Sequence, residues 1–221
     1  MQSPDQLELF YARIRGTIEV STLLDEYRRI FSFIHGAGLT ADYREARGRL
    51  KRLRDEVTPI VGLLKRKARP DDKAKFNLDS SDHDAHWVRS QSTIKIEATV
   101  AQARARLNLI RELNMKGEGR GFLPITDEEE TERFLAIMDE EPSCYSTREY
   151  VSTLERAIRL CLQNKQHSPA DILVIDAPVS NEYVPFERLG EIPVLREPQV
   201  LAQRMEIYVI DREVCLGIRG H

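Results

Sequence analysis

The densest set of chemistry-bearing side chains lies in Asp79-Ser80-Ser81-Asp82-His83-Asp84-Ala85-His86-Trp87. Two imidazoles and three carboxylates within eight residues are the donor types that hold a divalent metal. Asp82, His83, Asp84 and His86 are the candidate ligands, and a three-residue separation lets the two histidines share a helix face. The competing reading is a helix start, with Ser81 as cap and Asp84 at the third helical position, where the dipole favours acids. A second carboxylate, Asp176, ends the apolar run Asp171-Ile172-Leu173-Val174-Ile175-Asp176. Acids at the carboxyl end of a buried strand often face a site. A turn cap would serve Asp176 equally well.

Two short resemblances bear on these residues. His83-Asp84 resembles the metal-binding pair of HD-type phosphohydrolases, with His35 and Asp139 as the loose counterparts of that family's further ligands. The likeness spans two residues, and FNLDSSD stands where the family has an apolar stretch, so no membership follows. Arg29 and His35, six residues apart near a helix end, resemble the Arg–His pair of HEPN-type ribonucleases. That resemblance implies a metal-independent ribonuclease in which Arg29 holds phosphate and His35 moves the 2′-hydroxyl proton. Ile30 replaces the polar residue expected beside the arginine.

Charge gives a third lead. The 221-residue chain has a net charge of −3, from 33 basic and 36 acidic residues, which excludes a uniformly basic nucleic-acid binder. The balance is segregated, however. Residues 40–120 carry a surplus of seven positive charges, and residues 121–150 a surplus of seven negative ones. Arg44, Arg47, Lys51, Arg52, Arg54, Lys65 and Arg66 fall largely opposite an apolar stripe, as a ridge that could replace counterions along a phosphate backbone. Arg104 and Arg106 extend it. Lys116 and Arg120 sit in the glycine-rich Lys116-Gly117-Glu118-Gly119-Arg120-Gly121, a connection able to close over a partner. An ordinary solvated helix face, or pairing with the acidic segment, accounts for the same pattern.

These residues need elements to position them. Ser3-Pro4-Asp5-Gln6 predicts a helix start, followed by apolar positions at helical spacing to Ile34 and a stop at Gly36 and Gly38. A second stripe runs from Tyr43 to Leu64, with Pro59 either kinking it or opening a new helix capped by Thr58. Residues 69–80 read as a polar connection. A third helix is expected from about residue 84 to 114, on the rows Ile94–Ala98 and Ile96–Val100. Capping boxes at Thr126 and Ser146 open two more helices. Beyond Ser168-Pro169 the pattern turns to strands: 171–176, short extended pieces at 183–186 and 192–195, and a hairpin of 205–210 with 213–218. The expected fold is therefore mostly α: a bundle of five or six helices over residues 1–165, then a small β-rich, α+β region over residues 166–221.

Hydrophobic residues make up 41% and charged residues 31%, a globular composition with no apolar run long enough to span a bilayer. Cys144, Cys161 and Cys215 are odd in number and far apart, so neither a disulfide framework nor a thiolate zinc site is expected. Cys161 falls on an apolar stripe and reads as core. The expectation is a cytoplasmic interaction or regulatory module of a larger complex, with a protein partner or self-association, possible nucleic-acid contact through residues 44–69, no membrane and no cofactor. The alternatives are a metal-dependent phosphohydrolase or nuclease around His83 and His86, and the Arg29/His35 ribonuclease.

Overall fold

A computed structural model describes residues 5–45, 47–79, 83–101, 147–177, 205–210 and 215–218. The described helices are α1 (Gln6–Arg15), α2 (Val20–Gly36), α3 (Thr40–Arg44), α4 (Leu50–Arg52), α5 (Thr58–Lys67) and α6 (Thr147–Asn164). The strands are β1 (Ile18–Glu19), β2 (Lys73–Phe76), β3 (Ala85–Arg89), β4 (Ser92–Val100), β5 (Ile172–Asp176), β6 (Glu206–Ile210) and β7 (Cys215–Ile218). They form one mixed sheet in chain order, β1 to β7. β4, β5 and β6 run parallel, and the other neighbours are antiparallel.

This architecture overturns the expected helical bundle. The segment read as a polar connection contains β2, and the expected third helix begins instead as the β3–β4 hairpin. The cause is arithmetic: residues four apart share a helix face, but four is also twice the strand period of two. Ile94, Ile96 and Ala98 therefore fit both patterns. The alternation that decides the matter is Ala74 and Phe76 buried against Lys73 and Lys75 exposed, then Ala85 and Trp87 buried between the less buried Asp84, His86 and Val88. Ser90 turns the hairpin at φ +55°, in the left-handed region.

The sheet has a core on each face. Leu7, Phe10, Ile14, Leu23 and Ile30 of the amino-terminal helices, with Ile60 and Leu64, pack on Ala74, Phe76, Ala85, Trp87, Ile96, Ile172 and Val174. On the other face Leu154, Ile158, Cys161 and Leu162 of α6 cover Leu173, Ile175, Ile207 and Val209. Both parities of β5 are thus buried, which explains the uninterrupted apolar run at 172–175. Strands from residues 73–100 and from 172–218 share this sheet, and α6 lies between the parallel β4 and β5 in the chain, as a crossover helix requires.

The helix ends follow their side chains. Asp5 caps α1, its Oδ1 accepting from the Leu7 N–H at 2.9 Å. Gly16 ends α1, and α2 runs on to Gly36. Pro59 has no N–H to give the preceding turn, and Leu53–Val57 widens into a π turn in which the Thr58 N–H reaches the Leu53 carbonyl. The Thr58 hydroxyl donates to the same carbonyl at 2.8 Å and meets the hydroxyls of Tyr27 and Tyr43 at 3.1 and 2.9 Å. The chain stays helical across Pro59, and α5 starts at Thr58 itself, with Val57 rather than Thr58 in the cap position. The π turn packs against β4, which brings residue 56 toward the sheet. No described helix is long and apolar enough to cross a membrane.

Candidate functional site

Asp84 does not start a helix; it is the residue before β3. The Ala85–Ile96 register sets it opposite Glu97 of β4, on the same face of the sheet. The Asp84 backbone N–H donates to the Ile96 carbonyl at 2.9 Å. Its carboxylate accepts from the Ala98 N–H at 2.7 Å. Glu97 is only 8% exposed and ion-pairs with Lys165, just past the end of α6. Glu56, in the π turn, approaches from the helical side and is paired with Arg52 at 3.3 Å.

The electrostatics of this group are unbalanced. Burial, and then the Glu97 charge, push the Asp84 carboxyl up to about 6; the Ala98 N–H, Lys165 and Arg52 oppose the rise. Burial, and then Asp84, push Glu56 up to about 7, against Arg52 and Lys51. Three carboxylates, from a π turn, a strand start and a strand interior, are thus offset by Arg52, Lys51 and Lys165, with Arg52 and Lys165 in direct ion pairs. Two of the three hold protons far above the ordinary carboxylate range.

The imidazoles lie beside this group. His83 Nε2 and His86 Nε2 are 2.6 Å apart, a hydrogen bond between the rings. His86 faces Lys75 and Lys95 across the sheet. Burial lowers its proton affinity, and His83, Lys75 and Lys95 lower it further. Asp82 lies outside the described residues. Among those described, no three His, Cys, Asp or Glu side chains converge closely enough to ligate one ion together. Two carboxylates with water completing the shell remain the available donor set, and magnesium is commonly held that way.

The other candidates are scattered. Arg29 pairs with Glu26 at 2.9 Å on the exposed side of α2, and His35 is exposed near the end of the same helix. Six residues of helix rotate them to different sides. Asp176 sits at the carboxyl end of β5 beside Val100, three register steps beyond Glu97. Much of the basic ridge is locally paired: Arg47 with Glu45 at 2.6 Å, Lys51 with Asp55 at 3.6 Å and Arg54 with Asp55 at 2.6 Å. Arg54 also donates to the Arg44 carbonyl, and Arg66 to the Gly62 carbonyl. Lys65 is exposed on α5. Arg104, Arg106, Lys116 and Arg120 lie outside the described residues, as do the expected 127–141 helix, the extended pieces at 183–186 and 192–195, and Asp139.

Sequence reasoning singled out Asp84 but missed Glu56, Glu97 and Lys165. One signal was present in the chain: Glu97 is a charge inside the apolar run Ile94-Lys95-Ile96-Glu97-Ala98-Thr99-Val100, where a buried face leaves little room for one. Cys161 is buried, as its stripe implied, and burial pushes its thiol up, away from nucleophilic use. No family model matches the chain, and no curated protein or solved structure matches it.

Proposed function

We propose that the chain is a divalent-metal-dependent phosphoester hydrolase, with Asp84 and Glu97 holding the ion. The observation that carries this reading is their placement: two carboxylates directly opposed across β3–β4, one of them pinned by a backbone N–H and the other buried against Lys165. Asp84, whose carboxyl is pushed up to about 6 by burial and the neighbouring Glu97 charge, is poorly neutralised, and a dication would supply the missing charge. Bound there, it would polarise a phosphoryl oxygen and acidify a water. Lys165, paired with Glu97, would supply a cation for the charge growing on the phosphoryl group. Glu56, with its proton affinity near neutrality, suits the transfer of the attacking water's proton. A water oxygen then bonds to phosphorus while the ester P–O bond breaks, and the leaving oxygen ends protonated.

The test is turnover of bis(p-nitrophenyl) phosphate with magnesium or manganese against EDTA, for the parent chain and for Asp84→Asn and Glu97→Gln. Metal-dependent turnover, lost in both variants, is the expected result. EDTA-resistant turnover, or full activity in Asp84→Asn, refutes the assignment. RNA cleavage resistant to EDTA and lost in His35→Ala would move the activity to Arg29 and His35. Binding without turnover in every arm would favour the interaction-module reading.

A further inference from the structure

The lysines nearest the carboxylate pair are arranged differently from those of the helical ridge. Lys75, His86 and Lys95 form one row across β2, β3 and β4, since Lys75 is in register with His86 and His86 with Lys95. This row is two residues along the strands from the Asp84–Glu97 row, and side chains two apart share a sheet face. Lys73 lies one further row out, in register with Val88. Lys73, Lys75 and Lys95 are all exposed, and none has an ion pair among the described residues. The α6 core that covers the rest of this face includes no residue of β2 or β3.

We infer that the lysine-bearing face of β2–β3–β4 is the nucleic-acid-binding surface of the protein, with Lys73, Lys75 and Lys95 receiving the phosphate backbone of the strand to be cut. The inference rests on the hydrolase reading for its position and deepens it by naming the substrate class. Spacing decides between a small phosphate ester and a polymer. Two residues of strand span about 7 Å and two strand-to-strand gaps about 10 Å. The lysine track therefore begins about 7 Å from the carboxylate row and extends to about 14 Å from it. One phosphoryl group at Asp84 and Glu97 cannot touch Lys73, whereas a backbone with a phosphate every 3.4 Å or so of axis places several along the track. The carboxylates at its end need an ion to admit a phosphate, and the lysines hold the neighbouring phosphates in register with that ion. The helical ridge is a poorer platform, because carboxylates of its own helix already engage Lys51 and Arg54.

Binding is measured separately from cleavage by fluorescence anisotropy in EDTA, with labelled single-stranded DNA, duplex DNA and single-stranded RNA of about 20 nucleotides. The salt concentration is varied, and circular dichroism checks the fold of each variant. The parent chain is expected to bind at least one of these with an affinity that falls steeply with salt. The double variant Lys75→Glu, Lys95→Glu should lose roughly tenfold or more, and its log–log salt slope should be shallower by about two, one unit for each phosphate contact. The equal charge change Lys51→Glu, Lys65→Glu on the helices should cost much less. Three results overturn the inference: no binding by the parent chain, an unchanged affinity and slope in Lys75→Glu, Lys95→Glu, or a loss as large in the helical pair. Failure of metal-dependent turnover leaves this binding result standing, so the two readings fail separately.

Discussion

Glu56→Gln tests the electrostatic account of the site most directly. Glu56 is held in the π turn with its side chain 30% exposed, and burial together with Asp84 raises its carboxyl from 4.5 to about 7. Between those values the native protein keeps a proton that the unfolded chain has released. Stability is therefore full below the unfolded value and is lost as pH climbs through the folded one. The whole shift corresponds to about 3 kcal/mol, and partial exposure cuts this to about 1–2 kcal/mol. Glutamine keeps the shape of the protonated acid and cannot ionise. It forfeits the helical pairing with Arg52, worth about 0.3–0.5 kcal/mol. The variant should thus match the parent near pH 4.5 and exceed it by roughly 1 kcal/mol at pH 8 in EDTA. Urea unfolding at four or five pH values measures the gap, with equal slopes expected for both proteins. A gap that does not change with pH, or a variant less stable at pH 8, would show that Glu56 is not held protonated by its surroundings. Asp84, raised from 3.8 to about 6, gives the parent a further slope of the same sign at lower pH, and that slope should persist in Glu56→Gln.

Two further predictions concern the frame around the site. Asp72 is 5% exposed and accepts from the indole N–H of Trp87 at 2.9 Å and from the Arg69 N–H at 3.0 Å. Asp72→Ala leaves that buried indole unpaired and should cost about 3 kcal/mol, read as a lower urea midpoint with a shifted emission from the single tryptophan. At Gly217 of β7 an added Cβ would stand 2.8 Å from Cε1 of the Tyr208 ring on β6. Gly217→Ala should cost about 1–2 kcal/mol by displacing the ring, and an unchanged thermal midpoint would contradict this close approach.

The parts legible in the sequence were those set by near neighbours. Gly36 ends α2, the Thr58-Pro59 pair marks the break at 58, and the apolar run at 172–175 forms β5, whereas the strand β1 that divides residues 6–36 into α1 and α2 was not foreseen. The strands at 206–210 and 215–218 lie where alternation placed them. The hairpin of β3 and β4 was not legible from its apolar rows alone, because Ile94, Ile96, Ala98 and Val100 satisfy a helix and a strand together. Once the hairpin is read as a helix, Asp84 and Glu97 fall thirteen residues apart on one rod, and their opposition disappears. Charge segregation was likewise visible as composition, and the Glu45 and Asp55 partners of Arg47, Lys51 and Arg54 lie within four residues of them in the chain, whereas the row of Lys75 and Lys95 exists only through strand register.

By itself the sequence determined the stop at Gly36, the break at 58, the buried strand at 172–175 and Asp84 as a residue of chemical interest, because each depends on neighbours within a few positions. The cap it offered for α1 did not hold, since Asp5 caps that helix, and Asp84 leads into a strand rather than a helix. The tertiary structure alone decided that Glu56 approaches from a π turn, that Glu97 stands opposite Asp84, and that Lys165 closes on Glu97 from 68 residues away. A site of this kind is assembled by strand register and by a crossover helix, and those pairings act between segments that the linear pattern never brings side by side.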